Sequence, residues 1–132
     1  MGIITKKISL AFLGIFALSI MSNASAQRLN KLIEMFENDE PAFGVLSFDY
    51  SLENARSLAT SGLDFVFVDM EHAPFDVEKL RQFLLGMTNK REILEKGNLQ
   101  PNVIPLVRVP AAGGAEELIA QAKQVLDVGV FG

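Results

Sequence analysis

Apolar residues change their spacing several times along this chain, and each change marks an element. Between Ile8 and Met21, 11 of 14 positions are apolar, interrupted only by Ser9, Gly14 and Ser19. From Leu29 the spacing turns helical: Leu29, Leu32, Ile33 and Phe36 fall at i, i+3, i+4 and i+7, one face of a helix. Asn38-Asp39-Glu40-Pro41 stops it, and Ala42 to Phe48 is a short apolar run of strand length. Ser51 is placed to cap a helix from Leu52 to Thr60, with Gly62 just past its end. Phe65-Val66-Phe67-Val68 is apolar without alternation, as in a parallel strand buried on both faces.

The alternation continues. Asp76 can cap a helix in which Val77, Leu80, Phe83, Leu84 and Met87 recur at helical spacing. A polar stretch from Thr88 to Asn102 follows, with one or two helical turns expected between Arg91 and Lys96. Val103 to Val107 reads as a third strand, against which Pro105 counts mildly because it lacks a ladder donor. Pro110 to Gly114 is a loop, Glu116 to Leu126 a helix, and Val130-Phe131 the beginning of a fourth strand. Strand and helix therefore alternate about three and a half times, which predicts an α/β fold with a parallel sheet. A complete barrel of eight such units takes about 250 residues. The alternation stops at Gly132 inside an expected strand, so the expectation is the front part of something larger.

The apolar run near the start belongs to a different class of segment. Lys6 and Lys7 precede it, and Ala24-Ser25-Ala26 follows it with small residues at the positions a signal peptidase reads. Its 14 residues rise roughly 21 Å as a helix, short of the ~30 Å hydrocarbon core. The segment 1–26 is thus expected to be a cleavable signal peptide, with cleavage before Gln27 and export of residues 27–132 to the periplasm or the medium. It accounts for much of the mean hydropathy of +0.27.

Charge and composition narrow the chemistry. The whole chain carries a formal charge of -4 from 12 basic and 16 acidic residues. The first 26 hold two of the bases and none of the acids, leaving 10 bases against 16 acids in the remainder. Such an acidic chain argues against nucleic acid as a partner, and no basic amphipathic helix argues for a membrane surface. With no cysteine, a disulfide scaffold, a thiolate nucleophile and Cys-ligated metal are excluded. A single histidine excludes a site built on two.

Parallel α/β folds bind ligands at the carboxyl ends of their strands. Three such ends stand out. Phe48-Asp49-Tyr50-Ser51 after the first strand carries polar groups and reads as a capped turn. Asp69-Met70-Glu71-His72 after the second puts two acids and the only histidine within four positions. Imidazole exchanges protons near neutral pH, and carboxylates beside it can hold its second nitrogen and its orientation. Arg108 closes the third strand, placed to fork onto a carboxylate or to polarise a carbonyl oxygen. For each cluster an ordinary solvated turn or surface ion pair stays open. Asp127, by local pattern, is a helix-end or turn residue.

Taken together, four segments resemble the HpcH/HpaI aldolase family of metal-dependent class II pyruvate aldolases. They are Gly44 to Ser47; Ser61 to His72, with its Asp-x-Glu-His ending; Pro105 to Pro110; and Gln124 to Gly132. The resemblance spans Leu29 to the end. It implies a (β/α)8 TIM barrel, of which residues 27–132 would be the amino-terminal part, and the making or breaking of a carbon–carbon bond beside a 2-oxo acid. The expected reaction is aldol cleavage of a 4-hydroxy-2-oxo acid to pyruvate, or a related 2-oxo acid, and an aldehyde. It implies a divalent metal (Mg²⁺, Mn²⁺ or Co²⁺) whose Glu and Asp ligands come from strands beyond Gly132, and assembly as a homo-oligomer in a full-length protein. By the same resemblance His72 is the catalytic histidine, Asp127 the acid that partners it, and Arg108 the arginine that steadies the pyruvate oxygen. Asp69 and Glu71 take supporting roles. The stretch from Thr88 to Asn102 departs from the family in being longer. Two other readings stay open at this point: an exported, non-catalytic domain binding a small carboxylate through Arg108, and an inactive fragment lacking the metal ligands.

Overall fold

A computed structural model describes residues 28–132; the expected signal peptide lies outside the described residues. The element order is α1 (Lys31–Glu37), β1 (Gly44–Ser47), α2 (Leu52–Ala59), β2 (Phe65–Asp69), α3 (Val77–Met87), α4 (Lys90–Lys96), β3 (Ile104–Arg108) and α5 (Ala115–Asp127). The strands form one parallel sheet in the order β1-β2-β3. The caps anticipated from the sequence form. Ser51 accepts the Asn54 amide at 3.2 Å to start α2, and Asp76 accepts the Lys79 amide at 3.0 Å to start α3. Gly62 takes φ 78° just after α2, a conformation costly for any residue with a Cβ.

Pro105 sits inside β3 without breaking it, for a geometric reason. Along a strand, successive backbone groups point to opposite edges. Ile104 donates to the Asp64 carbonyl and Arg108 accepts from the Met70 amide, so both face β2. Pro105 faces the other edge, where its missing N–H leaves no ladder bond to β2 unmade. On that outer edge the Pro105 carbonyl accepts from the Phe131 amide at 3.0 Å, and Val107 donates to Gly132 at 2.8 Å. The expected fourth strand is thus present as two backbone hydrogen bonds, although residues 130–132 do not form a regular strand.

One face of the sheet carries the core. Val66 and Val68 of β2, with Met70 beyond its end, pack against Ala55 of α2, Leu80 and Phe83 of α3, and Val125 of α5. These helices therefore cover the same side. The other face carries Phe65, Phe67 and Leu106, which are half-buried, and Leu46, which is 45% exposed. At the carboxyl end of this second face stand Asp69 and Arg108, paired in register on neighbouring strands.

The apolar stripe of α1 is not a core face. Only Leu32 is buried, while Leu29, Ile33 and Phe36 stay exposed. The helix sits at the entry end of the sheet, where Lys31 pairs with Asp64 at 2.9 Å just ahead of β2. Gln100 also donates to the Arg28 carbonyl at 2.9 Å. The anchor is polar, and among the described residues no element faces the rest of the stripe.

The contact between α2 and α3 is set by Gly86. A Cβ there would lie 2.7 Å from Leu52 Cδ1 and 2.8 Å from Ala55 Cβ. Helix propensity alone favours alanine, so the sign of this substitution reports the packing. Gly86→Ala is expected to destabilise the fold by about 1–3 kcal/mol in denaturant titration. A stabilised variant would contradict the close approach.

Candidate active site at the carboxyl rim

The rim is organised by Asp69, the last residue of β2. Its side chain is wholly shielded from solvent, and all its oxygen contacts are made. Oδ1 accepts from the Glu71 amide at 2.9 Å, the His72 amide at 3.2 Å and Arg108 Nε at 3.0 Å. Oδ2 accepts from Arg108 Nη2. Arg108, the last residue of β3, thereby forks side-on onto the carboxylate, the strongest geometry such a pair adopts. The two backbone bonds fold the chain after β2 into a tight turn that presents His72 beside the guanidinium. His72 Nδ1 lies 2.7 Å from Arg108 Nη2 and 3.1 Å from Asp69 Oδ2.

Glu71 completes the cluster from the other side. Its Oε2 is 3.3 Å from Arg108 Nε and 3.8 Å from His72 Nδ1, and its Oε1 accepts the Ala111 amide at 3.3 Å. That last bond ties the loop after β3 to the turn after β2. Tyr50 reaches in from the loop after β1, its hydroxyl donating to the Asp69 carbonyl at 2.7 Å. All three strand ends are therefore joined at one place. Arg108 and His72 are the more accessible members, with side chains 37% and 61% exposed.

These contacts fix the charge states. The Arg108 fork holds the Asp69 carboxyl well below the ordinary carboxylate range against the opposing effect of burial, with the two turn amides adding to it. Pairing with Asp69 raises Arg108 in turn. Burial pushes the Tyr50 phenol up, and the Asp69 and Asp76 carboxylates push it further, so it remains a donor. Among the described residues no group of three or more His, Asp or Glu side chains is arranged to hold a metal ion. Both Asp69 oxygens are committed to Arg108, and the Glu and Asp ligands that the resemblance implies for the metal are expected beyond Gly132, outside this rim.

Four of the five residues singled out in the sequence meet here: Asp69, Glu71, His72 and Arg108. Asp127 does not join them. It is the exposed last residue of α5, and because α5 returns antiparallel to β3 its carboxyl end lies at the entry end of the sheet. The carboxylates within reach of His72 are Asp69 and Glu71 instead. Phe48-Asp49-Tyr50-Ser51 is mostly the capped turn expected, with Asp49 accepting from the Ser51 amide at 2.8 Å. Tyr50 is the residue that pattern reading passed over. Its signal was being the sole tyrosine, at the end of a strand. A cavity of about 430 Å³ lined by Leu84, Met87, Ile93, Val103 and Phe131 opens at the entry end, away from these groups.

Parallel strands alternating with helices, and a charged cluster at the strands' carboxyl ends, define an α/β protein with an enzyme-like rim. Solved structures show what this chain is similar to. The chain is similar to an HpcH/HpaI aldolase/citrate lyase family protein from Burkholderia cenocepacia J2315, at 30% identity and a TM-score of 0.57, over 76% of this chain and 34% of that one. The citrate synthase SbnG is 25% identical with a TM-score of 0.57, over 78% and 35% of the two chains. An HpcH/HpaI aldolase from Desulfitobacterium hafniense DCB-2, 22% identical with a TM-score of 0.52 over 75% and 32%, shares the fold. No family model and no curated protein matches the chain. The resemblance seen in the sequence is thus met in structure: structural neighbours of this chain are HpcH/HpaI aldolase/citrate lyase family proteins. It spans about a third of the length of those solved chains.

The low pKa of Asp69 has a testable consequence. A carboxyl whose pKa falls on folding adds stability above its unfolded value, near 3.9, and loses that contribution as pH drops toward the folded value. The stability gap between the wild type and Asp69→Asn is expected to be full above about pH 5 and to shrink steadily below about pH 4. A gap unchanged between neutral pH and pH 3 in denaturant titrations would contradict the pairing.

Proposed function

We propose that this chain supplies β/α units of a (β/α)8 TIM barrel belonging to a carbon–carbon lyase that acts on 2-oxo acids. The carrying observation is Arg108 beside His72 at the carboxyl rim, the first a fixed cation and the second a proton-transfer group. The barrel reading is supported by the helices sharing one face of the sheet while the other face, with Leu46, Phe67 and Leu106, keeps apolar area exposed. In a barrel, that second face turns inward, and Asp69 and Arg108 project into the mouth.

A 2-oxo acid presents a carboxylate beside a ketone. Arg108 spends its Nε and one hydrogen of Nη2 on Asp69, while Nη1 takes no partner among the described residues. The free end of the guanidinium is therefore available to a second carboxylate, or to the oxygen on which enolate charge develops. His72 moves the proton that aldol cleavage or condensation requires. Asp69 fixes the guanidinium, and Glu71 holds the loop after β3 against the rim. The substrate of the reading is a 4-hydroxy-2-oxo acid giving pyruvate, or a related 2-oxo acid, and an aldehyde. The metal associated with the family finds no ligand set in the described residues, and no step in this reading passes through it. Export behind a cleaved segment 1–26 and homo-oligomeric assembly of a longer gene product belong to the same proposal.

The test is pyruvate release from a 4-hydroxy-2-oxo acid by the complete gene product supplied with Mg²⁺, Mn²⁺ or Co²⁺. His72→Ala is expected to lower kcat by about 10²–10⁴-fold, and Arg108→Ala to lower kcat/KM by about 10²–10³-fold. Release at the wild-type rate in His72→Ala would overturn the reading. Binding of pyruvate through Arg108 without turnover would favour a small-carboxylate-binding module instead.

A further inference from the structure

We propose that Arg108 selects which nitrogen of His72 carries the ring proton, and that a 2-oxo acid seated on Arg108 reverses the selection. The trigger rests on the 2-oxo-acid reading; the selection itself rests only on the geometry of the rim.

Nδ1 of His72 has two neighbours with incompatible demands. Asp69 Oδ2, at 3.1 Å, only accepts, so a bond to it requires a proton on Nδ1. Arg108 Nη2, at 2.7 Å, only donates, so a bond to it requires a lone pair on Nδ1. One nitrogen cannot do both. Nη2 has two hydrogens, and Asp69 Oδ2 takes one, which leaves the other for Nδ1, the shorter of the two ring contacts. In the ligand-free rim Nδ1 is therefore the acceptor and the proton sits on Nε2, which has no partner among the described residues on a side chain 61% exposed. Presented this way, Nε2–H is a donor and cannot act as a base.

A ligand changes the count of donors. A carboxylate or a ketone-carboxylate edge bound across the free end of the guanidinium uses a hydrogen of Nη1 and the same Nη2 hydrogen that His72 had taken. The side-on pairing with Asp69 is untouched, but Nδ1 loses its donor. The ring then moves its proton from Nε2 to Nδ1 through solvent, with no net change in charge, and Nδ1–H donates to Asp69 Oδ2. The Nε2 lone pair now faces the rim as a general base, formed only after substrate has arrived. Asp69 and Arg108 are positioning residues for this step.

The chain's single histidine makes the state directly readable. Long-range ¹H–¹⁵N correlation spectra of the ¹⁵N-labelled chain at about pH 8, above the ordinary imidazole range, are expected to show Nε2 protonated and Nδ1 bare. Arg108→Gln is expected to invert the major tautomer, and so is saturation of the wild type with pyruvate. A wild type with the proton already on Nδ1 overturns the proposal even if Arg108→Gln fails to fold. So does pyruvate that shifts the Glu71 and Ala111 amides while leaving the tautomer unchanged. Pyruvate that shifts no rim amide counts against the 2-oxo-acid reading instead, while the comparison of wild type with Arg108→Gln still decides the selection.

Discussion

The ion pair between Asp69 and Arg108 is the constraint on which the rest of the rim depends. Each residue ends a parallel strand, and the register of β2 against β3 sets them side by side. Asp69 is buried as a charge, which is costly unless the charge is met by a partner and by hydrogen bonds. It has both: a forked guanidinium and two backbone amides. The amides it engages belong to Glu71 and His72, so the bonds that make the buried carboxylate tolerable also fold the turn that carries the reactive groups. Fold and site share these contacts, and neither can be altered without the other.

The same arrangement leaves part of Arg108 uncommitted while it is paired. A side-on fork commits Nε and one hydrogen of Nη2, His72 Nδ1 lies against the rest of Nη2, and Nη1 has no partner among the described residues. An arginine held in this way loses rotamer freedom before any ligand arrives, so binding costs it less ordering. Tyr50, donating to the Asp69 carbonyl, and Glu71, holding the loop at Ala111, stiffen the rim from the two flanking strand ends.

Much of this was legible in the sequence, and what was not had a physical reason. The order of elements followed from apolar spacing together with caps at Ser51 and Asp76, all of which are local signals. Pro105 counted against β3 only because a sequence does not say which edge of a strand its N–H would face. The exposure of the stripe on α1 was not legible because helical spacing reports amphipathicity and not whether an element lies opposite. At the rim, Asp69, Glu71, His72 and Arg108 were each visible, but Asp69 as the centre was not. Its fork onto Arg108 spans 39 positions and exists only through the strand register. Asp127 was assigned to His72 through family likeness, whereas the antiparallel return of α5 carries it to the other end of the sheet.

The central claim is that a 2-oxo acid is held at this rim by the free end of Arg108. A crystal structure of the chain soaked with pyruvate measures it most directly. The account predicts pyruvate oxygens within hydrogen-bond distance of Nη1 and Nη2, with the Asp69 fork retained and His72 turned from Arg108 toward Asp69. Pyruvate bound elsewhere, such as in the cavity lined by Leu84 and Phe131 at the entry end, with Arg108 still on His72, would contradict it.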